Sequence, residues 1–475
     1  MNQKLSSVWI FARFANLLAL TKRIKRLPTP VRLATGLAML IIIGTGLLML
    51  PVASLRGLHL NEALFTAVSA LAVTGLSVIV PSRDLTPFGQ FVLMVLIQTG
   101  GVGFMILASV IFALIGRRIS LTNRLAITDS LGLVRPGAVL TLTRNVIIGV
   151  HVVELIGAAF LWVRWRGELG DGKAAFYALF HAVSAFCNAG FDLFDGRIPN
   201  DGLSLLIIGS LITLGGLGIP VLGDLFVVAR AQLRHRLHQP HSRRERSLSL
   251  HSRLTLITYA ALVLIGWLAL FVAERQPTHT LYAEPLDRQL SISLFQSVAT
   301  RTAGFVAVPS YSFEALAPAS QLVMIVLMFI GCAPASMGGG ITTGTLIVLI
   351  LALWSNARQW PVLRVSNRSL SPGTVRRAAA VLITSLMVVI TATWLILVTH
   401  EVTLDAALFE VVSAFATCGL TLALTGSLNL FGQIVIMLVM FWGRLGALTL
   451  VSAVAWQPTR RDDLVSYPEE PVLIG

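Results

Sequence analysis

Apolar and polar positions alternate on two length scales along the chain. Four apolar stretches of about 20 residues, 32–50, 146–165, 254–272 and 379–398, each suffice to cross a hydrocarbon core of ~30 Å as helix at 1.5 Å per residue. Each is followed by a shorter, less apolar segment of 12–14 residues: 62–73, 174–187, 288–300 and 404–417. These are too short to cross as helix. A long apolar segment then returns, at 88–114, 205–228, 321–353 and 432–455. A short helix between two full ones is the pattern of a re-entrant pore helix. The expectation is an all-α polytopic membrane protein with eight transmembrane helices and four re-entrant pore helices.

The short segments repeat in sequence. Phe65 to Gly75 reads FTAVSALAVTG, Phe180 to Gly190 reads FHAVSAFCNAG, Phe295 to Gly304 reads FQSVATRTAG, and Phe409 to Gly419 reads FEVVSAFATCG. The closing glycines lie 115, 114 and 115 residues apart. Copies that run the same way, each holding an even number of crossings, can stand in parallel around an axis along the membrane normal. The division is 1–30 as an N-terminal segment, then repeats at 31–141, 142–251, 252–374 and 375–458, and a tail at 459–475.

Composition agrees with this pattern and adds orientation. Of 475 residues, 55% are hydrophobic and 12% charged, about half the charge of a soluble chain (roughly 25%). That excludes a cytosolic enzyme, a disulfide scaffold or a disordered chain. Net charge is +14, and basic residues cluster at 22–32, 117–144, 230–253, 358–377 and 460–461, between apolar runs. They read as cytoplasmic loops rather than a nucleic-acid surface, with both termini inside and the chain in the inner membrane. The basic start carries no cleavable signal peptide. The three cysteines, Cys187, Cys332 and Cys418, have no metal-ligand spacing. No ATPase motif is present, so any ion movement through such a chain is expected to run down the electrochemical gradient or to be coupled to sodium. An inside-negative potential supplies ~2.3 kcal/mol per charge per 100 mV.

Non-helical backbone at membrane depth must line water or be buried in protein. Four loops that meet at an axis can present carbonyl oxygens in place of a cation's hydration shell. No acidic side chain lies in 72–76, 187–191, 300–305 or 416–420, which favours a monovalent over a divalent ion. The four loops resemble the filter loops of the Trk/Ktr/HKT potassium transporter superfamily, in the family's order, from about residue 31 to 455. The resemblance implies four M1–P–M2 units around a central path. It places a selectivity filter at Val73, Thr74, Gly75, Asn188, Ala189, Gly190, Thr302, Ala303, Gly304, Thr417, Cys418 and Gly419, binding K⁺ through backbone carbonyls. A glycine at position 75, rather than serine, implies potassium over sodium. The short N-terminal segment is more like the Ktr-type (KtrB) membrane subunit. That implies a homodimer, each protomer with its own pore, on a cytosolic ring of RCK-type (KtrA-like) nucleotide-binding regulatory subunits. No cofactor is expected in this chain, and no enzymatic activity.

The third returning segment is interrupted at 331–344 by Pro334 and five glycines, which a straight helix does not hold. The matching stretches, 100–103, 215–218 and 443–446, are shorter. This stretch resembles the family's intramembrane gating loop. The gate is assigned to Gly331, Cys332, Pro334, Ser336, Gly338, Gly339 and Gly340, with Arg444. Cys332 stands where a glycine is common in the family, and Thr342 where a lysine is. Arg444 lies where two sister repeats have Gly101 and Gly216; a charge at that depth costs ~2.5–3.5 kcal/mol or more, so it is expected to donate to loop carbonyls and form a cationic barrier. Arg301 is expected to brace the third loop.

Further positions are weighed. His151 and Glu154, one turn apart, read as a buried hydrogen-bonded pair rather than a metal site, for want of a third ligand. Asn188 either offers a side-chain carbonyl or holds its loop. Glu410 either draws cations to the mouth or bonds a neighbouring loop, and His181 at the matching place points to a structural bond. Alternative functions are a sodium-permeable uniporter of the same fold, a secondary transporter of a larger solute, and an intramembrane hydrolase. The last lacks a His-Glu-x-x-His motif and a paired membrane Asp.

Overall fold

The computed structural model describes residues 29–103, 139–195, 198–236, 248–277, 279–307, 315–360, 364–365 and 368–446. The basic stretches 117–138 and 460–461, most of 22–32 and part of 230–253 lie outside them, as do the ends of the returns at 104–114 and 447–455.

The first segment contains α1 (Thr29–Leu48), α2 (Leu60–Ala72), the single turn α3 (Pro81–Asp84) and α4 (Pro87–Gly101). The second contains α5 (Val139–Leu169), α6 (Asp171–Phe186), α7 (Gly202–Gly216) and α8 (Ile219–Arg236). The third contains α9 (Leu250–Glu274), α10 (Leu286–Ala299), α11 (Pro318–Ile330) and α12 (Thr343–Ala357). A two-stranded hairpin, β1 (Arg364–Val365) with β2 (Arg368–Ser369), leads to α13 (Pro372–Thr399), α14 (Leu404–Phe415) and α15 (Leu430–Leu445).

The repeat in sequence becomes a closed ring of contacts. In each segment the short helix packs on the long helix before it: α2 on α1, α6 on α5, α10 on α9, and α14 on α13. Each returning helix also packs on the short helix of the next segment: α4 on α6, α7 on α10, α11 on α14, and α15 back on α2. The last contact closes the circle.

Burial separates the two helix types. From their motif phenylalanines (Phe65, Phe180, Phe295 and Phe409) to their C-termini, the short helices are buried at every position. Their small residues let four of them converge. The long helices within 144–169, 250–274 and 372–399 are apolar enough to cross a membrane, yet only 22–28% of each apolar window is buried. Ile42, Phe160, Ile265 and Ile390 are all more than half exposed, a surface suited to acyl chains and not to water.

Helix starts follow from local sequence. Three returning helices carry a polar N-cap: Thr86 Oγ1 accepts from the Gly89 N–H at 3.2 Å, Asp201 from Ser204 at 3.1 Å, and Asn429 from Gly432 at 2.8 Å. A glutamine one turn in ties back to the entering chain. Gln90, Gln321 and Gln433 donate to the carbonyls of Leu85, Leu316 and Leu428 at 3.4, 2.9 and 3.1 Å.

The second return is not a single helix, as the run over 205–228 had suggested. α7 and α8 meet at 102° across Leu217 and Gly218. Gly218 has φ +83°, a value a helix interior cannot hold, and Gly103 and Gly446 take φ +88° and +81° at the same place in their returns. The left-handed glycine after the helix is therefore shared by three of the returns. What distinguishes the third return is the length of its interruption, from Gly331 to Thr342.

Candidate functional site

The four short helices end alike. The residue two before each closing glycine takes a left-handed conformation: Val73, Asn188, Thr302 and Thr417, with φ between +51° and +68°. The glycines follow with φ of +93°, +70°, +71° and +94° at Gly75, Gly190, Gly304 and Gly419. The turn is held by the helix it leaves. Thr74, Ala189 and Cys418 N–H groups each donate at 2.8 Å to the carbonyls of Ser69, Ser184 and Ser413, and Gly304 to Ala299 at 3.2 Å. Ser69 and Ser413 also accept through Oγ from Gly75 and Gly419, at 3.0 and 3.1 Å.

The four glycines then interlock. The space a Cβ would take on Gly75 is filled by the carbonyl oxygen of Ala189; on Gly190 by that of Ala303, 2.9 Å away; on Gly304 by that of Cys418; and on Gly419 by that of Thr74. Each carbonyl belongs to the residue before the next glycine, so the ring runs 75–190–304–419 and returns to its start. A side chain at any of the four pushes against backbone, which cannot swing aside. The site is therefore built of main chain.

The returning helices press on the ring from behind. A Cβ on Gly100, Gly215 or Gly443 would strike the carbonyl of Leu71, Phe186 or Phe415, at the C-terminus of the short helix in its own segment. Those glycine positions and the motif serines carried a sequence signal, being repeated in register, although the sequence reading gave them no task.

The interruption 331–344 lies against loops three and four. Cβ atoms built on Gly338 and Gly339 would meet Thr302 and Thr417 respectively. The Cys332 thiol donates to the Arg301 carbonyl at 2.8 Å and accepts from Thr302 Oγ1 at 3.2 Å. Ala333 and Met337 N–H groups donate to the carbonyls of Gly216 and Gly215, at 3.0 and 3.3 Å. Pro334 packs on the Cβ side of Gly344, and Ser336 N–H donates to Ala333 at 3.2 Å.

Two arginines hold this stretch from opposite sides. Arg301 is fully buried, donates to the Gly331 carbonyl and lies over the Tyr259 ring at 4.6 Å. Its partner is the 331–344 stretch and not, as expected, its own third loop, so it ties the one to the other. Half-buried Arg444 donates to the Met337 carbonyl at 2.6 Å, and to Gly100 and Gly101 of α4. The expected contact with the 331–344 carbonyls is present; the additional tie to α4 was not legible in the sequence.

The remaining candidates sort as follows. Asn188 packs between Ala185, Ile212 and Cys332, and serves to hold its loop. Glu410 accepts from Thr421 at 2.6 Å and from Thr425, so it bonds its own loop and not a neighbouring one. His181 lies 2.7 Å from the Tyr177 carbonyl and accepts from Leu193 N–H. The expected His151–Glu154 pair does not form. His151 is exposed and lies 2.8 Å from the Ile147 carbonyl, whereas Glu154 turns inward and accepts from Gln98 at 3.0 Å. Although one turn apart, they stand on either side of the boundary between the exposed and buried surfaces of α5. No cluster of three potential metal ligands occurs among the described residues.

Comparison with known proteins matches this arrangement. Residues 10–460 fit the family model of TrkH, described as cation transport protein. The chain is 37% identical to the Ktr system potassium uptake protein B of Vibrio alginolyticus over 90% of its length and 91% of the relative's. It is 35% identical to the protein of that name from Bacillus subtilis, covering 95% and 97%. It is 33% identical to the potassium/sodium uptake protein NtpJ of Enterococcus hirae, covering 96% and 99%. The crystal structure of the potassium transporter TrkH from Vibrio parahaemolyticus superposes with a TM-score of 0.67 at 18% identity, over 90% of this chain and 85% of that one, which speaks to fold. By its sequence, its ring of four glycine loops and these relatives, the chain is a multi-pass membrane protein that belongs to the TrkH cation transport family.

Proposed function

We propose that the chain is the membrane subunit of a potassium uptake system, with one pore through each protomer. The observation that carries this reading is the closed main-chain ring, in which each of four glycines receives the carbonyl of the residue before the next. Such a ring supplies oxygens without acidic side chains, and suits a dehydrated monovalent cation. The selectivity filter is Val73–Gly75, Asn188–Gly190, Thr302–Gly304 and Thr417–Gly419, one loop from each of four units at 31–141, 142–251, 252–374 and 375–458. The Thr74 and Thr417 hydroxyls are buried without a hydrogen-bond partner in the described residues, which leaves them capacity for an ion or its water.

The gate is the 331–344 loop below filters three and four, held in place by Arg301 and Arg444. Several relatives bear the name Ktr system, which supports a partner, and we assign it as a cytosolic ring of RCK-type nucleotide-binding subunits beneath a homodimer. The chain sits in the inner membrane with both termini cytoplasmic, and the membrane potential drives entry. Because one relative is named for potassium and sodium, sodium permeation is the second reading.

The test is Rb⁺ uptake into proteoliposomes with K⁺, Na⁺ or an organic solute as competitor. Potassium is expected to compete and the organic solute to have no effect. Equal competition by Na⁺ selects the second reading. Uptake driven by the organic solute overturns both.

A further inference from the structure

One position recurs behind each loop of the ring. The residue after the motif phenylalanine is Thr66, His181, Gln296 or Glu410, and all four are buried. Among the described residues Thr66 bonds backward, to the Glu62 carbonyl of its own helix at 2.8 Å. The other three reach across to the chain that leaves the ring. His181 accepts from the Leu193 N–H at 3.3 Å, three residues past Gly190. Gln296 accepts from the Ala307 N–H at 3.4 Å, three residues past Gly304. Glu410 accepts from the hydroxyls of Thr421 and Thr425, two and six residues past Gly419.

The fourth tie is of a different kind. In the second and third loops the slot residue holds main chain, so any sequence there can be held. In the fourth it holds two hydroxyls, and the tie exists only because Thr421 and Thr425 are threonines. Both carboxyl oxygens are used, and Glu410 and Thr425 are buried, at 1% and 2% exposure, while Thr421 is half-buried. One helix thus holds the loop at two points, Ser413 at the Gly419 N–H itself and Glu410 at Thr421, two residues on. The loop's position matters to two neighbours. Gly419 receives the Thr74 carbonyl, and Cys418 fills the space beside Gly304.

We infer that Glu410, through Thr421 and Thr425, is a positioning residue of the filter, fixing the outer half of the fourth loop and with it the spacing of the ring between Thr74 and Gly304. The inference rests on the filter reading given above. It concerns ion discrimination, because a ring that can relax by a few tenths of an ångström no longer separates ions that differ by little more than that in radius.

The experiment measures the ratio of Rb⁺ to Na⁺ uptake in proteoliposomes of the full chain, with thermal stability alongside. The variants are Glu410→Ala, Glu410→Gln, Thr425→Val, and Glu410→Ala combined with Thr425→Val. Glu410→Ala and Thr425→Val are each expected to lower the ratio about five-fold, the scale of one lost hydrogen bond. The double variant is expected to be no worse than Glu410→Ala, since both remove one tie. Glu410→Gln, the side chain already used at Gln296, should stay within about two-fold of wild type, since its amide can still pair with the hydroxyls. Should Glu410→Ala not fold, Thr425→Val decides the matter. An unchanged ratio in Thr425→Val or Glu410→Ala, even with lower uptake or stability, overturns the inference. Gly75→Ser in the same assay separates the two ideas. If it lowers the ratio and the Glu410 and Thr425 variants do not, the tie alone is wrong; if none lowers it, the filter reading fails and the inference with it.

Discussion

The carbonyl oxygen of Ala189 occupies the space in which Gly75 would carry a side chain. The two residues belong to segments 115 positions apart in repeat, and neither contact nor closure depends on side-chain chemistry. Packing of this kind is strict at one atom and lenient at most others: across the four copies only the phenylalanine, the valine three residues on (Val68, Val183, Val298 and Val412) and the closing glycine are kept.

Gly75→Ser tests that contact. Serine at φ +93° is strained by roughly 1–2 kcal/mol, and its Cβ must displace the Ala189 carbonyl. The expected outcome is a folded protein with weaker discrimination of Rb⁺ against Na⁺, because a moved carbonyl changes the ring. Uptake ratios for wild type and variant at matched protein level decide it; equal ratios remove Gly75 from the filter.

Much of this was legible in the sequence, for a physical reason. Short helices, glycines and their 114–115 residue period are properties of consecutive residues, and an apolar pattern reports them directly. What was not legible depends on register between segments. The His151–Glu154 pair failed because adjacency on a helix does not say which face is buried. The bend at Gly218 was hidden inside a continuous apolar run, since α7 and α8 have the composition of one span and only the φ of one glycine divides them. Arg444 reaching Gly100 joins the two ends of the ring, a contact 344 positions apart in sequence.

Deleting 335–340 tests the gate. The six residues include Met337, which Arg444 holds, and Gly338 and Gly339, which rest on Thr302 and Thr417. The ring itself is made elsewhere, so the filter should survive. Rb⁺ flux without any regulatory partner is expected to rise, with the Rb⁺ to Na⁺ ratio kept. A folded variant with equal or lower flux shows that the loop is not a gate.

Arg301→Met tests the buried brace. Methionine keeps much of the volume but loses the donor to Gly331 and the cation over Tyr259. A hydrogen bond from a charged group is worth ~1.5–3 kcal/mol, so a clear fall in unfolding temperature in detergent is expected. Tyr259→Phe retains an aromatic face and should cost less. Equal losses for the two would mean that Arg301 contributes through packing alone.

Arg444 is the test that bears most on gating. It stands where Gly101 and Gly216 stand in sister segments, so the repeat itself demands no side chain there. Its guanidinium spans from the Met337 carbonyl of the loop to the carbonyls of Gly100 and Gly101 on α4, binding the fourth segment, the third and the first at one point. Removing it acts twice. A positive charge below the filter disappears, which favours K⁺ there, and the loop loses a charged donor worth ~1.5–3 kcal/mol, a shift of roughly 10- to 100-fold in the loop equilibrium. Both changes favour conduction. Arg444→Gln is therefore expected to raise Rb⁺ flux and to weaken control by the proposed cytosolic partner. Arg444→Lys keeps the charge but cannot fork between two segments, and should fall between them. The measurement is Rb⁺ flux or single-channel current for the three proteins at matched expression, with and without the partner. If both variants fold and lower flux to the same degree, no barrier exists at this point and Arg444 acts as a brace between the first segment and the last.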